Sequence, residues 1–316
     1  MNRYHNRIEK MWGILSMTQD RKSRMKGCLY AFLAGVLWGV TSPAAQFLFE
    51  KKGIVSEWLV PYRLISAGIL LLVYAKIKKQ DIVSVWKNRN DGIRLVLFGI
   101  LGMMGMQFTF FSAVQEMNAG TATIFQYLNP AILILFFAVV HKIMPSLKEI
   151  LAVCAAVAGI AIVATHGDFS TLSISGKGLF LGMLVAVTTC FYGVLPAPLL
   201  KRYSAETVSA WGMISGGIVL MAAVRPWRIP AVIDWQVAAA FLMIITVGTI
   251  LPFCFYLTSV KHTGSVYAGL FSSVEPVAAT AVAAAALGTT FMKMDILGFA
   301  LVLSTLFILA IPEKVR

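Results

Sequence analysis

Two short stretches place polar side chains and a proline in the middle of long apolar runs. They are FQYLNP, which ends at Pro130, and FSSVEP, which ends at Pro276, 146 positions later. A proline inside a helix cannot donate a backbone hydrogen bond to the preceding turn. The carbonyl groups of Gln126 and Ser272 are therefore predicted to be free at equivalent points of two helices. We expect the prolines to shape the helices rather than to contact a ligand.

Polar side chains next to these carbonyl groups could bind a solute. Helical spacing places Gln126 and Asn129 on one face of the first helix, and Ser272 and Glu275 on the matching face of the second. We interpret the two faces as halves of one central binding site. The alternative is that Gln126 and Asn129 only join neighbouring helices by hydrogen bonds.

Glu275 is the only one of the fourteen acidic residues that falls deep within an apolar run. A carboxyl group at such a depth is costly and is therefore a candidate functional residue. It could bind a cationic group of a solute, or it could couple proton flux to transport. The alternative is a structural or gating role, in which it bonds to a neighbouring helix. Asn129 occupies this position in the first stretch, so any function of the charge is not duplicated.

Further candidates lie elsewhere in the apolar segments. Arg63 could hold an anionic group such as a carboxylate or phosphate. Alternatively, its side chain extends to the lipid headgroups on the outer side of a membrane, or it pairs with Glu57. Gln107 could line a cavity or join two helices. The remaining candidates are aromatic residues that could either wall a cavity or simply pack: Trp38, Tyr127, Tyr192 and Phe271.

The composition indicates that these residues lie in a membrane. Of the 316 residues, 59% are apolar and 13% are charged, whereas soluble domains average about 45–50% apolar and about 25% charged residues. The long uncharged runs approach the roughly 20 residues that cross the hydrocarbon core as a helix. We predict an all-α integral membrane protein with ten transmembrane helices, near 27–47, 57–76, 94–114, 118–140, 147–165, 177–200, 205–224, 235–257, 263–287 and 293–312.

The net charge of +13 is explained by membrane topology. With a cytoplasmic N-terminus, the 27 lysine and arginine residues divide into 20 cytoplasmic residues, six external residues and one within a span. This distribution follows the positive-inside rule and predicts that both termini are cytoplasmic. It indicates contact with a lipid bilayer and argues against nucleic-acid binding.

The proline stretches belong to a longer internal repeat. The shift of 146 positions also aligns Gly102 with Gly248, and a shift of 149 aligns LISAGI at 64–69 with MISGGI at 213–218. Each copy holds five spans, and an odd number makes the second copy enter the membrane from the opposite side. Such inverted repeats are typical of secondary transporters, which alternate between conformations open to either side.

The chain resembles a known family in four features. These are an aromatic-glycine pair in the first span (Trp38-Gly39), another in the sixth (Tyr192-Gly193), Arg63 in the second span, and the two proline-bearing helices. Together they resemble the EamA-type branch of the drug/metabolite transporter superfamily. The resemblance implies a ten-helix carrier of the cell membrane that binds a small-molecule substrate among spans one, three, four, six, eight and nine. It favours an exporter of amino acids or related metabolites; uptake of a small organic cation or other solute is the alternative.

The predicted organisation follows from these features. It comprises a basic cytoplasmic tail at 1–26, a first five-helix repeat at 27–165, an external linker at 166–176, an inverted second repeat at 177–312 and a cytoplasmic C-terminus at 313–316. The natural start could be Met1, Met17 or Met25. Glycine pairs such as Gly35-xxx-Gly39 predict close packing within one chain, so we expect a monomer or a weak homodimer.

Several motifs are absent from the sequence. No GxxxxGK[ST] phosphate loop, HExxH motif or aspartate-rich metal cluster occurs, so we expect no cofactor, no metal and no enzymatic activity. A channel, a lipid scramblase and a membrane-embedded enzyme are alternatives to a carrier. The inverted repeat and the absence of rings of charge argue against a channel or scramblase, and the absence of clustered carboxylates or histidines argues against an enzyme.

Overall fold

The computed structural model describes residues 21–142, 144–168 and 171–310. Every regular element within these ranges is helical, and ten helices there are long and apolar enough to cross a membrane. They are α1 Met25–Lys52, α2 Ser56–Ile77, α3 Arg89–Glu116, α4 Ala119–Val140, α5 Leu147–Thr165, α6 Gly176–Leu200, α7 Ala205–Val224, α8 Trp235–Val260, α9 Tyr267–Leu287 and α10 Lys293–Ala310. The ten predicted spans are therefore confirmed.

The largest differences from the predicted bounds lie at polar helix ends. Helical structure before α1 begins at Arg21, so residues 21–26 of the predicted tail are helical. Charged residues can continue a helix beyond the bilayer, whereas hydropathy detects only its apolar part. Residues 1–20 of the tail and the predicted C-terminus at 313–316 lie outside the described residues.

Side-chain caps explain why several spans begin where they do. A capping side chain accepts a hydrogen bond from a backbone N–H of the first turn, which would otherwise lack a partner. Ser146 and Glu149 form a reciprocal capping box at the start of α5. Single side chains cap α4, α6, α7 and α8: Asn118, Ser175, Ser204 and Asp234.

The helices pack in a regular set of pairs. α1 lies against α8 and α9, and α6 lies against α3 and α4. Further extensive contacts between the two halves are made by the pairs α2–α7, α3–α7, α5–α10 and α4–α9. Every one of these pairs joins a helix of the first half to a helix of the second half, so the two halves are interleaved.

The directions of α8 and α9 can be followed along α1. Helical structure continues from one into the other over Leu251–Ser272. The contacts with α1 nevertheless move back from Thr41 to Trp38 along α8 and then forward from Gly35 to Gly39 along α9. Hence α8 runs antiparallel to α1, and α9 runs parallel to it.

Two helices contain a wider, π-helical stretch at matching positions. In α3 it covers Phe98–Met104, and in α8 it covers Thr246–Ile250. The aligned glycines Gly102 and Gly248 fall within them. Such stretches leave backbone groups outside the regular helical pattern and are frequent at functional sites.

Candidate functional site

The proline-bearing spans α4 and α9 are both broken at the predicted point. α4 is helical over Ala119–Gln126 and again over Asn129–His141. The helix that enters α9 ends at Ser272 and resumes at Glu275. In each case the proline is the second residue of the resumed helix, where its missing N–H costs little. The two breaks occupy equivalent positions in the repeat.

The carbonyl groups at the breaks do not stay free, which corrects the prediction. The carbonyl oxygen of Gln126 accepts a hydrogen bond from the side-chain amide of Asn129 at 2.9 Å. The carbonyl oxygen of Ser272 accepts one from the Tyr127 hydroxyl at 3.2 Å. Buried backbone groups generally find such partners, because an unsatisfied carbonyl is costly in an apolar surrounding. The Cys190 thiol of α6 also donates to the Asn129 carbonyl at 3.4 Å.

A buried hydroxyl joins the two breaks. The Tyr127 hydroxyl lies 3.2 Å from the Ser272 carbonyl oxygen and 3.2 Å from Glu275 Oε2. Glu275 is 5% exposed, and both Tyr127 and Ser272 are also buried. A phenolic hydroxyl has a single hydrogen to donate, so at any moment it serves either the carbonyl or the carboxylate. The carboxyl group that stands alone in the sequence thus has a partner on the opposite broken helix.

Two glycines bring α1 against the break in α9. A Cβ atom at Gly39 would lie 2.6 Å from the Glu275 carbonyl oxygen, and one at Gly35 would overlap the Ser272 carbonyl oxygen. Only glycine allows backbones to approach this closely. The Gly35-xxx-Gly39 pair therefore packs within the chain, as predicted.

Aromatic rings surround part of this region. Trp38 contacts Phe253 and Tyr256 of α8, with ring centroids 5.6 and 5.5 Å apart. Tyr192 of α6 contacts Phe98 of α3, with ring centroids 6.1 Å apart. The repeat alignment of Phe110 with Tyr256 is the only sequence signal that could have identified Tyr256 as part of this group.

Phe271 lies apart from the other aromatic candidates. Its side chain is 39% exposed and lines an apolar groove of about 400 Å³ together with Val277 of α9 and Leu303 and Phe307 of α10. Phe271 precedes Ser272 in the same unbroken helix, so its side chain lies about 100° around the helix axis from that of Ser272. Gln126 and Asn129 are half-buried at the α4 break.

Arg63 lies inside the bundle and bonds to two other helices. Its Nη1 donates to Gln107 Oε1 of α3 at 2.5 Å, and its Nε donates to Thr249 Oγ1 of α8 at 3.1 Å. The guanidinium carbon lies 4.6 Å from the centre of the Phe111 ring. Only 6% of the Arg63 surface is exposed, so the side chain does not extend out of the bundle toward lipid headgroups. No hydrogen bond or ion pair between described residues joins Arg63 to Glu57.

The part of the chain that the structure describes holds no group of three or more histidine, cysteine, aspartate and glutamate residues that could bind a metal ion. The candidate residues instead form two polar clusters in an apolar bundle. We call Tyr127, Ser272 and Glu275 the break cluster. We call Arg63, Gln107 and Thr249 the arginine cluster.

Ten helices that are long and apolar enough to span a membrane and that enclose buried polar clusters define a multi-pass membrane protein. More specifically, the chain belongs to the EamA-like transporter family, which matches it twice, over residues 25–165 and 176–311. The family expected from the sequence is thereby confirmed. The protein is a membrane transporter of the EamA and drug/metabolite transporter group.

Similar proteins carry transporter names. The chain is 31% identical over 294 residues to "Uncharacterized inner membrane transporter YicL" of Salmonella typhimurium, covering 93% of this chain and 98% of that protein. It is 25% identical over 245 residues to "Uncharacterized transporter YyaM" of Bacillus subtilis, covering 74% and 76%. A solved structure described only as "Crystal structure of protein" has the same fold, with a TM-score of 0.58 at 17% identity, and covers 90% of this chain and 96% of that one.

Proposed function

We propose that this protein is a secondary active transporter that moves a small metabolite by alternating access, with its substrate bound beside the break cluster. The observation that carries this proposal is the meeting of two broken helices, one from each half, at a buried carboxyl group. Broken helices at membrane depth are tolerated where protein or a water-filled cavity satisfies the freed backbone groups. Carriers commonly place such breaks at the substrate site.

We further propose that the halves are inverted repeats with cytoplasmic termini. Exchanging α1–α5 for α6–α10 converts the α1 contacts with α8 and α9 into the α6 contacts with α3 and α4, and it leaves the pairs α2–α7, α4–α9 and α5–α10 unchanged. The starts of α5 and α10 also match. The backbone N–H of Ser146 donates to Glu149 at 2.8 Å, and that of Met292 donates to Asp295 at 2.8 Å.

The topology can be tested with single cysteines in a variant that lacks the four native ones. A membrane-impermeant thiol reagent added outside intact cells should label a cysteine at position 177, and it should not label one at position 201. Inside-out vesicles should give the reverse pattern. Labelling of position 201 from outside, or of position 177 only in inside-out vesicles, would contradict the proposed orientation of the second half.

For the substrate we propose export of amino acids or related metabolites across the plasma membrane. Uptake of a small organic cation is the second candidate, because the buried carboxyl group of Glu275 could hold a positive charge. The name of the Salmonella relative, an inner membrane transporter, supports a location in the plasma membrane. We propose no enzymatic activity and a monomer or weak dimer.

Glu275 offers a route from binding to conformational change. A proton or a cationic group bound to Glu275 would weaken its ability to accept a hydrogen bond from Tyr127. The Tyr127 hydroxyl would then serve the Ser272 carbonyl alone, and the contact between α4 and α9 would change. We propose that this shift couples proton or substrate binding to the movement of the halves. If Glu275 is only structural, transport will not depend on pH through this residue.

A ligand search and a flux assay test the proposal together. Purified protein is first screened by thermal shift against amino acids, quaternary amines, purines and polyamines. A ligand that binds only the folded state at a hundred times its Kd stabilises that state by about 2.7 kcal/mol. Any ligand found is then used in proteoliposomes. Saturable flux with counterflow would establish a carrier, whereas flux without saturation would indicate a channel and overturn the proposal.

A further inference from the structure

The arginine cluster contains a buried positive charge whose hydrogen-bond partners are all neutral. Arg63 donates to the Gln107 amide oxygen, the Thr249 hydroxyl and the Gly248 carbonyl. Among the described residues, none of the ion pairs involves Arg63. Charged groups within a membrane protein normally pair with an opposite charge or with backbone carbonyl groups, and they often mark the path of a substrate.

The guanidinium group also has donors to spare. Arginine carries five N–H groups, and the three described bonds use one on each nitrogen. Nη1 and Nη2 therefore each retain one N–H group that no bond between described residues uses. Two N–H groups in one plane match the two oxygens of a carboxylate, which is the geometry that makes arginine selective for this group.

The fold holds the guanidinium group in place. The π-helical stretch of α8 presents both the Gly248 carbonyl and the Thr249 hydroxyl to it, and that hydroxyl in turn donates to the Ile244 carbonyl at 2.9 Å. The guanidinium group also lies over the Phe111 ring, with its carbon 4.6 Å from the ring centre. A long, flexible side chain fixed in this way loses little further freedom when an anion binds.

The equivalent place in the other half is apolar. Gly212 aligns with Arg63, and the space where a side chain would begin there is filled by the Phe98 ring. The packing of α2 and α7 thus does not require a charge at this position. A charge that occurs in one half only is better explained by an asymmetric ligand than by the shared fold.

The arginine cluster and the break cluster lie against neighbouring residues of α1. Gly248, whose carbonyl accepts from Arg63, packs against Thr41. Glu275 packs against Gly39, two positions earlier on the same helix. Because a helix rises about 1.5 Å per residue, the two contacts are at nearly the same depth. The buried guanidinium group of Arg63 and the buried Glu275 therefore lie at nearly one level of the bundle.

We propose that Arg63, with Gln107 and Thr249, binds the carboxylate group of the transported solute. This inference rests on the proposed transport function and narrows its substrate class to small carboxylic acids, including zwitterionic amino acids. Arg63 is the specificity-determining residue. Its two remaining N–H groups contact the carboxylate oxygens, while its bonds to α3 and α8 keep it oriented.

Matched pairs of acids and amides test this assignment. Thermal stabilisation of the detergent-purified full chain is titrated with aliphatic, aromatic and amino carboxylic acids, each beside its carboxamide, at constant ionic strength. We expect at least one acid to bind wild-type protein about tenfold or more tightly than its amide. In Arg63→Gln we expect that preference to fall below about twofold, with binding of the amide retained. Arg94→Gln changes an exposed arginine of α3 and should keep the wild-type preference.

Each result decides the question. Wild-type protein that distinguishes no acid from its amide, or an Arg63→Gln variant that keeps the full preference, would overturn the carboxylate site. If Arg63→Gln fails to fold, Arg63→Lys keeps the charge but lacks the planar guanidinium group. Its preference for acid over amide should be intermediate between the wild-type preference and none, and an unchanged preference would overturn the proposal.

Carrier function is measured separately by counterflow. Acid-selective binding without counterflow contradicts the carrier alone, and counterflow that is indifferent to the carboxylate contradicts only this inference.

Discussion

The broken helices α4 and α9 share a backbone but differ in chemistry. Both end before a two-residue turn and resume with a proline in second position. In α4, the Asn129 side chain bonds to a carbonyl of its own helix. In α9, the Glu275 side chain bonds across to Tyr127 of the other broken helix. The repeat thus provides two similar scaffolds, and a single substitution gives one of them an ionisable group.

Two other pairs of equivalent positions also share a backbone location and differ in their side chains or surroundings. Arg63 in α2 corresponds to Gly212 in α7, whose surroundings are apolar. Gly39 in α1 is tightly enclosed by α9, whereas a Cβ atom at the equivalent Gly193 in α6 would meet nothing within 4 Å. Equivalent positions of the two halves therefore carry different side chains and different packing. Paired variants at equivalent positions test this contrast most sharply.

The largest effect is expected at the carboxyl group of the break cluster. Glu275→Gln removes the charge and the proton-binding site, so we expect flux of an identified substrate to fall about tenfold or more and to lose its dependence on pH between about 6 and 8. Proteoliposome flux measures both. Asn129→Ala, at the equivalent position, should keep pH-dependent flux within a few-fold of wild type. Normal pH-dependent flux in Glu275→Gln would remove Glu275 from the mechanism.

The next effect concerns the closeness of α1 to the break. Gly39→Ala forces a methyl group against the Glu275 carbonyl and Ala278, and overpacking of this kind typically costs about 1–3 kcal/mol. We expect a clear drop in the melting temperature in detergent. Gly193→Ala meets open space and should leave that temperature unchanged. Equal melting temperatures for the two variants would contradict the asymmetric packing.

A smaller effect is expected when the bridging hydroxyl is removed. Tyr127→Phe deletes the donor to Ser272 and Glu275, and the loss of such a hydrogen bond costs about 1 kcal/mol. Thermal unfolding compares this variant with Tyr192→Phe, which keeps the bridge intact and should be less destabilised. If Tyr192→Phe lost as much stability as Tyr127→Phe, the bridge would not be what joins α4 to α9.

The smallest effect is expected at the surface. Lys52 at the end of α1 pairs with Asp234 at the start of α8 at 2.6 Å, and exposed pairs contribute about 0–1 kcal/mol. The hydrogen bond from Lys52 lowers the pKa of Asp234. The stabilisation is therefore present at neutral pH and is lost as the pH falls through that lowered pKa. Lys52→Ala should reduce this acid sensitivity in melting curves recorded across pH, and identical curves for the two proteins would exclude the pair.

The corresponding ion pair between the end of α6 and the start of α3 has a more deeply buried carboxylate than the pair between α1 and α8. Arg202, after α6, and Tyr203 both bond to Asp91 at the start of α3. Only 3% of the Asp91 side chain is exposed, against 39% for Asp234. Asp91→Ala should therefore lower the melting temperature more than Asp234→Ala. The reverse order would contradict the description of the two ends.

Local features of the chain were predictable, whereas long-range partners were not. The α5 and α7 bounds agree with the prediction because polar caps and apolar runs mark them in the sequence. The helix breaks follow from the chemistry of proline. The partners of Arg63 in α8 lie about 185 positions away, and no local pattern indicates them. Phe271 was a candidate for its aromatic ring alone, and it lies about 100° around an unbroken helix from Ser272.

Accessibility of the break from the two sides of the membrane tests the central claim most directly. In a variant lacking the native cysteines, Ser272→Cys places a thiol at the buried break with little change in volume. If the site opens alternately to both sides, an impermeant thiol reagent should label it from outside cells and also in inside-out vesicles. Val277→Cys, in the apolar groove, should not be labelled from either side. Labelling of Ser272→Cys from one side only, or from neither, would contradict alternating access at this site.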